Sequence, residues 1–373
     1  LLFIFLIMNF EINNTILCDA LKTLNRVVPT RSTLPILSCV LFSSDGESLR
    51  LRSTDLEVSL EFSLQASIQE PVNIAVPISK ILSICSSLGD EKLSFMVSGA
   101  KIEIKTEFGE YNIMGQGSED FPDKVFVNEN KNISFESKKL EELIDYTIGS
   151  TSTDDLKPSL QGVLFDINEA KTTLVSTDGH RLSKIEENQN NPLSKKIIIP
   201  TKFLKLVQSF LIKEQKIEFL IGENHAQVFF EGVKISTRLI NDSYPDYEKV
   251  IPKTNDIEVL VETKKLINSL KRVSVFSNKK TKQATLIIEN NEIQLAAEDT
   301  ETAASAKEKI PCIQNKEQKI TIAFNGEYLK EILEKSKTEE TKLVLKDELS
   351  AALVLPKEQK SNKIALLMPI RLN

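Results

Sequence analysis

The chain has no tryptophan, two histidines and only 6% aromatic residues in 373 positions. So little imidazole weighs against a His-centred enzyme or a His-rich metal site. Its four cysteines, Cys18, Cys39, Cys85 and Cys312, form no C-x-x-C pair, and neither His180 nor His225 stands at a zinc-ligand spacing from any of them. They read as reduced core residues of a cytosolic protein, and neither metal nor cofactor is expected. No G-x-x-x-x-G-K-[ST] string is present, and Gly115-Gln116-Gly117 lacks the third glycine and the strand-to-helix context of a dinucleotide loop. Long apolar runs are missing as well. Residues 1–7, Leu-Leu-Phe-Ile-Phe-Leu-Ile, fall far short of the ~20 residues of a membrane span and carry no basic segment or cleavage site, so neither anchor nor secretion signal is expected. Met8 opens the first normally patterned segment, and residues 1–7 read as an upstream start-site extension.

What the chain does have is self-similarity at long period. Three β-patterned runs end in an acidic turn at Asp55, Asp178 and Asp299, spaced by 123 and 121 residues. Three strand-to-helix junctions, at Pro77, Pro200 and Asn325, are spaced by 123 and 125 residues. Amphipathic helices start near Asn14, Lys138 and Lys264, and the first two repeats close on the related phrases Asp120-Phe-Pro-Asp123 and Ser243-Tyr-Pro-Asp246. One unit of about 120 residues is therefore present three times, consistent with 41% hydrophobic residues in a chain too long for a single core.

Each unit reads as strand, helix, several strands, helix, more strands, which is an α+β layering of two helices on antiparallel sheets. Predicted strands include Ser48–Leu60, Lys92–Val97, Lys101–Thr106, Thr172–Ser176, Lys216–Ile221, Gln227–Phe230, Thr285–Ile288 and Thr341–Leu345. Between Asn14 and Val28, the residues Leu17, Leu21, Leu24 and Val28 form an apolar stripe, and Leu266, Leu270 and Val273 form another between Lys264 and Phe276. Expected domains are 8–128, 129–256 and 257–373, joined by polar linkers at Asn128–Asn132 and Pro252–Asp256.

The formal charge of the whole chain is −6, but its sign is segregated. The six predicted helical segments, 14–28, 79–88, 138–148, 202–213, 264–276 and 327–337, together carry +8, leaving −14 elsewhere. A basic helical layer in an acidic body suits contact with phosphates rather than with bases. Asp178 and His180 could be taken for a paired general base. No nucleophile stands at a motif spacing, however, and the turn recurs in the other units without histidine, so a plain β-turn is the simpler reading.

Arg31-Ser-Thr-Leu-Pro-Ile-Leu37, Ser53-Thr-Asp-Leu-Glu57, Ser176-Thr-Asp-Gly-His-Arg-Leu182, Tyr244-Pro-Asp-Tyr247 and Met368-Pro-Ile-Arg-Leu372 together resemble the bacterial sliding clamps, the β subunits of DNA polymerase III. The resemblance runs in order from residue 8 to 373. It implies three DNA-clamp domains per chain and a head-to-tail homodimer forming a ring around double-stranded DNA. Twelve helices would line the hole and bind without sequence preference. It also implies a cytoplasmic, non-catalytic processivity factor; the missing P-loop fits ATP use by a separate clamp loader. Partners would be the polymerase III α subunit, the loader and other proteins carrying a clamp-binding peptide, with no membrane involved.

By matched positions, the resemblance puts the wall of a peptide cleft at Leu160, Thr177, Gly179, His180, Arg181, Leu182, Pro245, Val250, Asn325, Tyr328, Met368, Pro369, Ile370, Arg371 and Leu372. DNA contacts are expected from Arg31, Lys80, Lys202, Lys205, Lys264, Lys265, Lys271 and Arg272, and a dimer contact from Val275 and Phe276. The chain departs from the family pattern at Lys157-Pro-Ser-Leu-Gln-Gly162, which lacks two aromatic residues before the leucine, and at Thr281, which stands for an aromatic. Two other readings remain: a β-rich peptide-binding scaffold that never encircles DNA, and a hydrolase centred on Asp178 and His180.

Overall fold

A computed structural model describes residues 7–44, 46, 48–124, 127, 132–212, 215–358 and 362–372. Of the expected N-terminal extension, residues 1–6 lie outside these, while Ile7 begins a strand, Ile7–Asn13, paired with Lys92–Ser98. Most of the first linker, residues 128–131, and Lys213 also lie outside the described residues.

Six α-helices occur among the described residues, two in each repeat: α1 Asn14–Leu24, α2 Ile78–Ser87, α3 Ser137–Ile148, α4 Thr201–Gln208, α5 Thr263–Val273 and α6 Gly326–Ser336. Each follows a strand directly. At α2 the junction is Pro77, whose missing N–H costs nothing at a helix start. At α6 it is Asn325, whose side chain accepts from Glu327 N (3.0 Å) and Tyr328 N (3.3 Å). The predicted stripe of α5 holds: Leu266, Leu270 and Val273 are fully buried. On α1, Leu17, Leu21 and Leu24 are buried, but the helix ends at Leu24, so Val28 lies off the stripe and Val27 is the residue that turns inward.

The chain forms two compact units that cut across the repeats, and the sheets show why. One unit contains residues 1–135, 205–210 and 215–238, the other residues 136–204, 211–214 and 239–373. In the first, an eight-stranded sheet joins repeats one and two, with Val233–Thr237 laddered antiparallel onto Val58–Phe62. A five-stranded sheet, ending at Glu110–Met114, packs Phe10 face to face on Phe95 with centroids 4.5 Å apart. In the second unit, a nine-stranded sheet joins repeats two and three, with Arg181–Lys184 laddered onto Ile364–Leu367. A four-stranded sheet there ends at Ala304–Pro311. These two sheets enclose a core running from Ile257 through Leu286 and Ile322 to Leu367.

The predicted strand Ser48–Leu60 is two strands, Ser48–Thr54 and Val58–Gln65, folded back at Asp55-Leu56-Glu57. Leu56 takes the left-handed conformation there, with φ 79°. An apolar residue gives no sign of such a turn, whereas Gly179 (φ 92°) occupies the same place in the second repeat and does. The four cysteines are buried and unpaired, and burial pushes the Cys85 thiol up to about 12.

Candidate functional site

The acidic turn of the second repeat is the pivot of the site. Asp178 Oδ1 accepts from His180 N (2.8 Å) and Arg181 N (3.0 Å), and Thr177 Oγ1 donates to Arg181 O (2.6 Å) while accepting from Gly179 N (3.1 Å). The first repeat builds the same turn: Asp55 Oδ1 accepts from Glu57 N (3.0 Å) and Val58 N (2.7 Å), and Thr54 Oγ1 donates to Val58 O (2.9 Å). In the third repeat Asp299 is held by Thr302 (2.9 Å) and Asn278 (3.2 Å), and those bonds keep its carboxyl below the usual aspartate range. Three aspartates thus serve one structural purpose. Asp178 is committed to this turn and to Arg181, and it bonds the backbone N–H of His180 rather than the imidazole.

Arg181 is 8% exposed and ties together three segments, its own turn, α6 and the end of α3. Its Nε donates to Asp178 Oδ2 (3.0 Å), one terminal nitrogen donates to Glu331 Oε2 on α6 (2.6 Å), and the other donates to the Gly149 carbonyl behind α3. The guanidinium also lies 4.1 Å from the Tyr328 ring centre. Of the expected wall residues, then, Arg181 supports the surface from below, and Tyr328 stands on it.

The C-terminal segment docks beside this turn. After the ladder of Ile364–Leu367 on Arg181–Lys184, Met368 N donates to His180 O (2.8 Å) and Ile370 N donates to Ala323 O (2.7 Å). The backbone is pinned on both sides, yet Met368 and Leu372 are each 42% exposed. A segment whose backbone is bonded at Met368 and Ile370 while apolar side chains stay in water forms a surface suited to binding. Leu182 is buried beneath, in a cluster with Leu366 and Tyr247, against which Tyr244 and Ile251 pack. Tyr244 donates to Val175 O (3.3 Å), and its burial raises the phenol pKa. Val250, 55% exposed, and Pro245 belong to the same segment, and Pro245 lines a cavity of about 530 Å³ with Tyr244, Tyr247 and Ile198. Leu160 is buried in the 3₁₀ turn Pro158–Gln161, and Arg371 is exposed.

Most of the basic positions are exposed, and three of those on α5 are held in ion pairs. On α5, Lys265 pairs with Glu262 (2.6 Å), Lys271 with Glu334 (2.8 Å), and Arg272 with Glu308 through two bonds of 2.7 and 2.6 Å. Lys264 makes no ion pair among the described residues. The helical charge read from the sequence is therefore partly answered by carboxylates on neighbouring elements. Glu308 sits on an edge strand that a sum over helices cannot include. Such exposed pairs are worth only about 0–1 kcal/mol each and yield readily to a phosphate. Arg31, Lys80 and Lys205 are exposed, and Lys202 is half-buried. Val275 and Phe276, in the 3₁₀ turn after α5, are 77% and 40% exposed. Among the described residues, no helix is long and apolar enough to cross a membrane, and no group of three or more potential ligands could hold a metal.

A thrice-repeated α+β domain that carries a pinned apolar surface and exposed basic helix faces defines a clamp-type interaction platform. The family models for the DNA polymerase III beta subunit match in order: the N-terminal domain over residues 8–125, the central domain over 134–246 and the C-terminal domain over 248–371. The chain is 29% identical over 370 residues to the beta sliding clamp of Pseudomonas aeruginosa, covering 98% of this chain and all of the relative. It is 27% identical over 368 residues to that of Buchnera aphidicola, covering 97% and 99%. The crystal structure of the P. aeruginosa polymerase III subunit beta superposes with a TM-score of 0.91 over 98% of this chain and 100% of that one, at 29% identity. A P. aeruginosa clamp bound to griselimycin gives 0.89 at the same identity and coverage. The chain belongs to the bacterial DNA polymerase III β subunits, the β sliding clamps.

Proposed function

We propose that the chain is a cytoplasmic, non-catalytic sliding clamp that closes as a head-to-tail homodimer around duplex DNA and tethers the replicative polymerase and other peptide-bearing partners. Family membership along the whole chain carries this reading. The domains are taken as 8–128, 129–256 and 257–373. The peptide cleft is placed at Met368–Leu372 with Thr177, Gly179, His180, Arg181 and Leu182, flanked by Leu160, Pro245, Val250, Asn325 and Tyr328. Exposed Met368 and Leu372 are its apolar anchors. DNA contact is assigned to Arg31, Lys80, Lys202, Lys205, Lys264, Lys265, Lys271 and Arg272, which meet phosphates without reading bases; Lys265, Lys271 and Arg272 exchange their carboxylate partners to do so.

Closure of the ring is supported by two sheets that end in strands with free outer edges among the described residues, Glu110–Met114 in the first repeat and Ala304–Pro311 in the third. An unpaired edge is a template for another chain, and Val275 and Phe276 lie near the second. Retention on circular DNA tests encirclement: the clamp stays bound to the closed circle and leaves when the circle is cut. Equal retention on both forms would instead support the scaffold reading.

A further inference from the structure

Pro245 belongs to the flank of the proposed peptide cleft and also to the wall of the cavity of about 530 Å³ described above. That cavity lies where the segment 242–248 meets the strands Gly162–Ile167 and Lys195–Pro200, which supply Leu164, Lys196 and Ile198. Leu164, Ile198 and Tyr247 form one buried cluster with Leu182 and Leu366, and Tyr244 packs against it. The apolar base of the cavity therefore continues into that of the cleft. Its volume falls in the ~300–1,000 Å³ range that takes a ligand or a large side chain.

The charges around it do not balance. Lys196 Nζ and Tyr247 OH both reach Asp166 Oδ2 (2.9 and 3.2 Å), so the one ammonium in the lining is spent on a carboxylate outside it. The Asp166 bond raises the Lys196 pKa, with smaller attractions from Glu248 and Asp246. Asp246 pairs with Lys249 (2.9 Å). Lys184, whose ammonium lies 5.9 Å from the Tyr247 ring centre, is paired with Glu186 (3.0 Å). Asp242 accepts from Ser243 N (2.7 Å), and neither Asp242 nor Glu248 makes an ion pair among the described residues; both are exposed. Taking the lining with its partners Asp166 and Lys249, four carboxylates meet two ammoniums, an excess of two negative charges.

We propose that this cavity is an accessory subsite of the peptide cleft, taking a basic side chain, arginine in preference, from the stretch of a partner chain that flanks its cleft-binding motif. The inference rests on the cleft assignment made above. An apolar flanking residue would fill the space but leave the negative excess unanswered. A bare metal ion finds no group of three or more potential ligands among the described residues. Arginine combines an apolar stem, suited to Leu164 and Ile198, with a flat cation that stacks on tyrosine and bonds carboxylates. Because Pro245 is common to both places, a peptide seated in the cleft has a continuous path to the cavity.

The test is calorimetric titration of the full chain with a Gln-Leu-x-Leu-Phe peptide in neutral flanks, and with the same peptide extended by two arginines or two glutamates at either end. At one end, the arginine extension should tighten binding about five- to twentyfold over the neutral peptide, the yield of two screened ion pairs, and high salt should erase the gain. The glutamate extension at that end should weaken binding. In the double variant Asp242→Asn/Glu248→Gln, whose substitutions are on exposed side chains, the neutral peptide should bind as in wild type while the arginine gain is lost. Equal affinities for the neutral and arginine-extended peptides would overturn the subsite with the cleft intact. So would a gain that survives in the double variant, or one lost instead on neutralising Asp154 and Asp155 in the loop before Leu160. If the neutral peptide itself fails to bind, the cleft assignment falls first and the subsite with it, an outcome distinct from the others.

Discussion

Truncation of Arg181 to alanine isolates the contribution of the segment junction from that of the surface above it. The change removes hydrogen bonds to Asp178, Glu331 and the Gly149 carbonyl, together with the stack on Tyr328. Asp178, with a side chain only 12% exposed, is left with a carboxylate that water reaches poorly. Stranding a buried charge in this way costs about 3–5 kcal/mol. Glu331 is 39% exposed and rehydrates, which places the expected loss at the lower end, about 3 kcal/mol. At roughly 2–4 °C per kcal/mol for a cooperative unit of this size, the melting transition should fall by about 6–12 °C. Lysine should not rescue it, since one ammonium cannot reach three acceptors in the plane of a guanidinium. Glu331→Gln should cost only about 1 kcal/mol, because a hydrogen bond to the neutral amide remains possible. Calorimetric melts of the single and double variants, with titration of a Gln-Leu-x-Leu-Phe-type peptide, give both the stability and the coupling. A melt of Arg181→Ala within a degree of wild type would refute the reasoning.

Replacing Met368 and Leu372 together by alanine should remove two apolar anchors worth on the order of 2 kcal/mol each, raising the peptide dissociation constant roughly a thousandfold. Calorimetric titration checks this, and because both side chains are already 42% exposed, the melting temperature should hardly move. Charge reversal of Lys264, Lys265, Lys271 and Arg272 should flatten the salt dependence of DNA retention by about 0.9 in log–log slope per lost phosphate contact; an unchanged slope would mean that α5 faces elsewhere. Sedimentation should give a dimer of the 41.9 kDa chain at micromolar concentration. Burial alone would raise the Asp145 carboxyl, but bonds from Lys335 and Lys337 outweigh it and hold the pKa below 3.8. A carboxyl depressed in the folded state stabilises above its unfolded pKa and loses that contribution as pH falls through the folded value. The stability advantage of wild type over Asp145→Asn should therefore be full at pH 6 and vanish in melts taken well below pH 4.

The triplication was legible because Asp55, Asp178 and Asp299 each cap a turn through their own side chain, so the sequence had to keep that residue type at that place. The second-repeat turn was further marked by Gly179, whereas in the first repeat Leu56 holds a left-handed conformation with no compositional sign, and two strands read as one. The helix stripes were visible in Leu266, Leu270 and Val273. Pairing partners far along the chain were not: Glu308 beneath Arg272, and Glu331 beside Arg181, are brought near by sheet order and helix packing, which a single sequence encodes only indirectly. For the same reason Arg181 read as one wall residue among fifteen.

The sheets ignore the repeat boundaries, and that offset makes the joints the mechanical unit. Repeats one and two are fastened by the ladder of Val233–Thr237 on Val58–Phe62, and repeats two and three by Arg181–Lys184 on Ile364–Leu367. Both joints are doubly secured, by hydrogen bonds and by the continuous peptide chain that crosses them. In a dimeric ring, a joint between chains has no covalent strand beneath it. A force spread evenly around such a ring therefore has somewhere definite to go: the intramolecular joints can stretch and recover because their halves stay tethered at high effective concentration, while a joint between chains, once parted, is free to stay open long enough for a DNA duplex to pass.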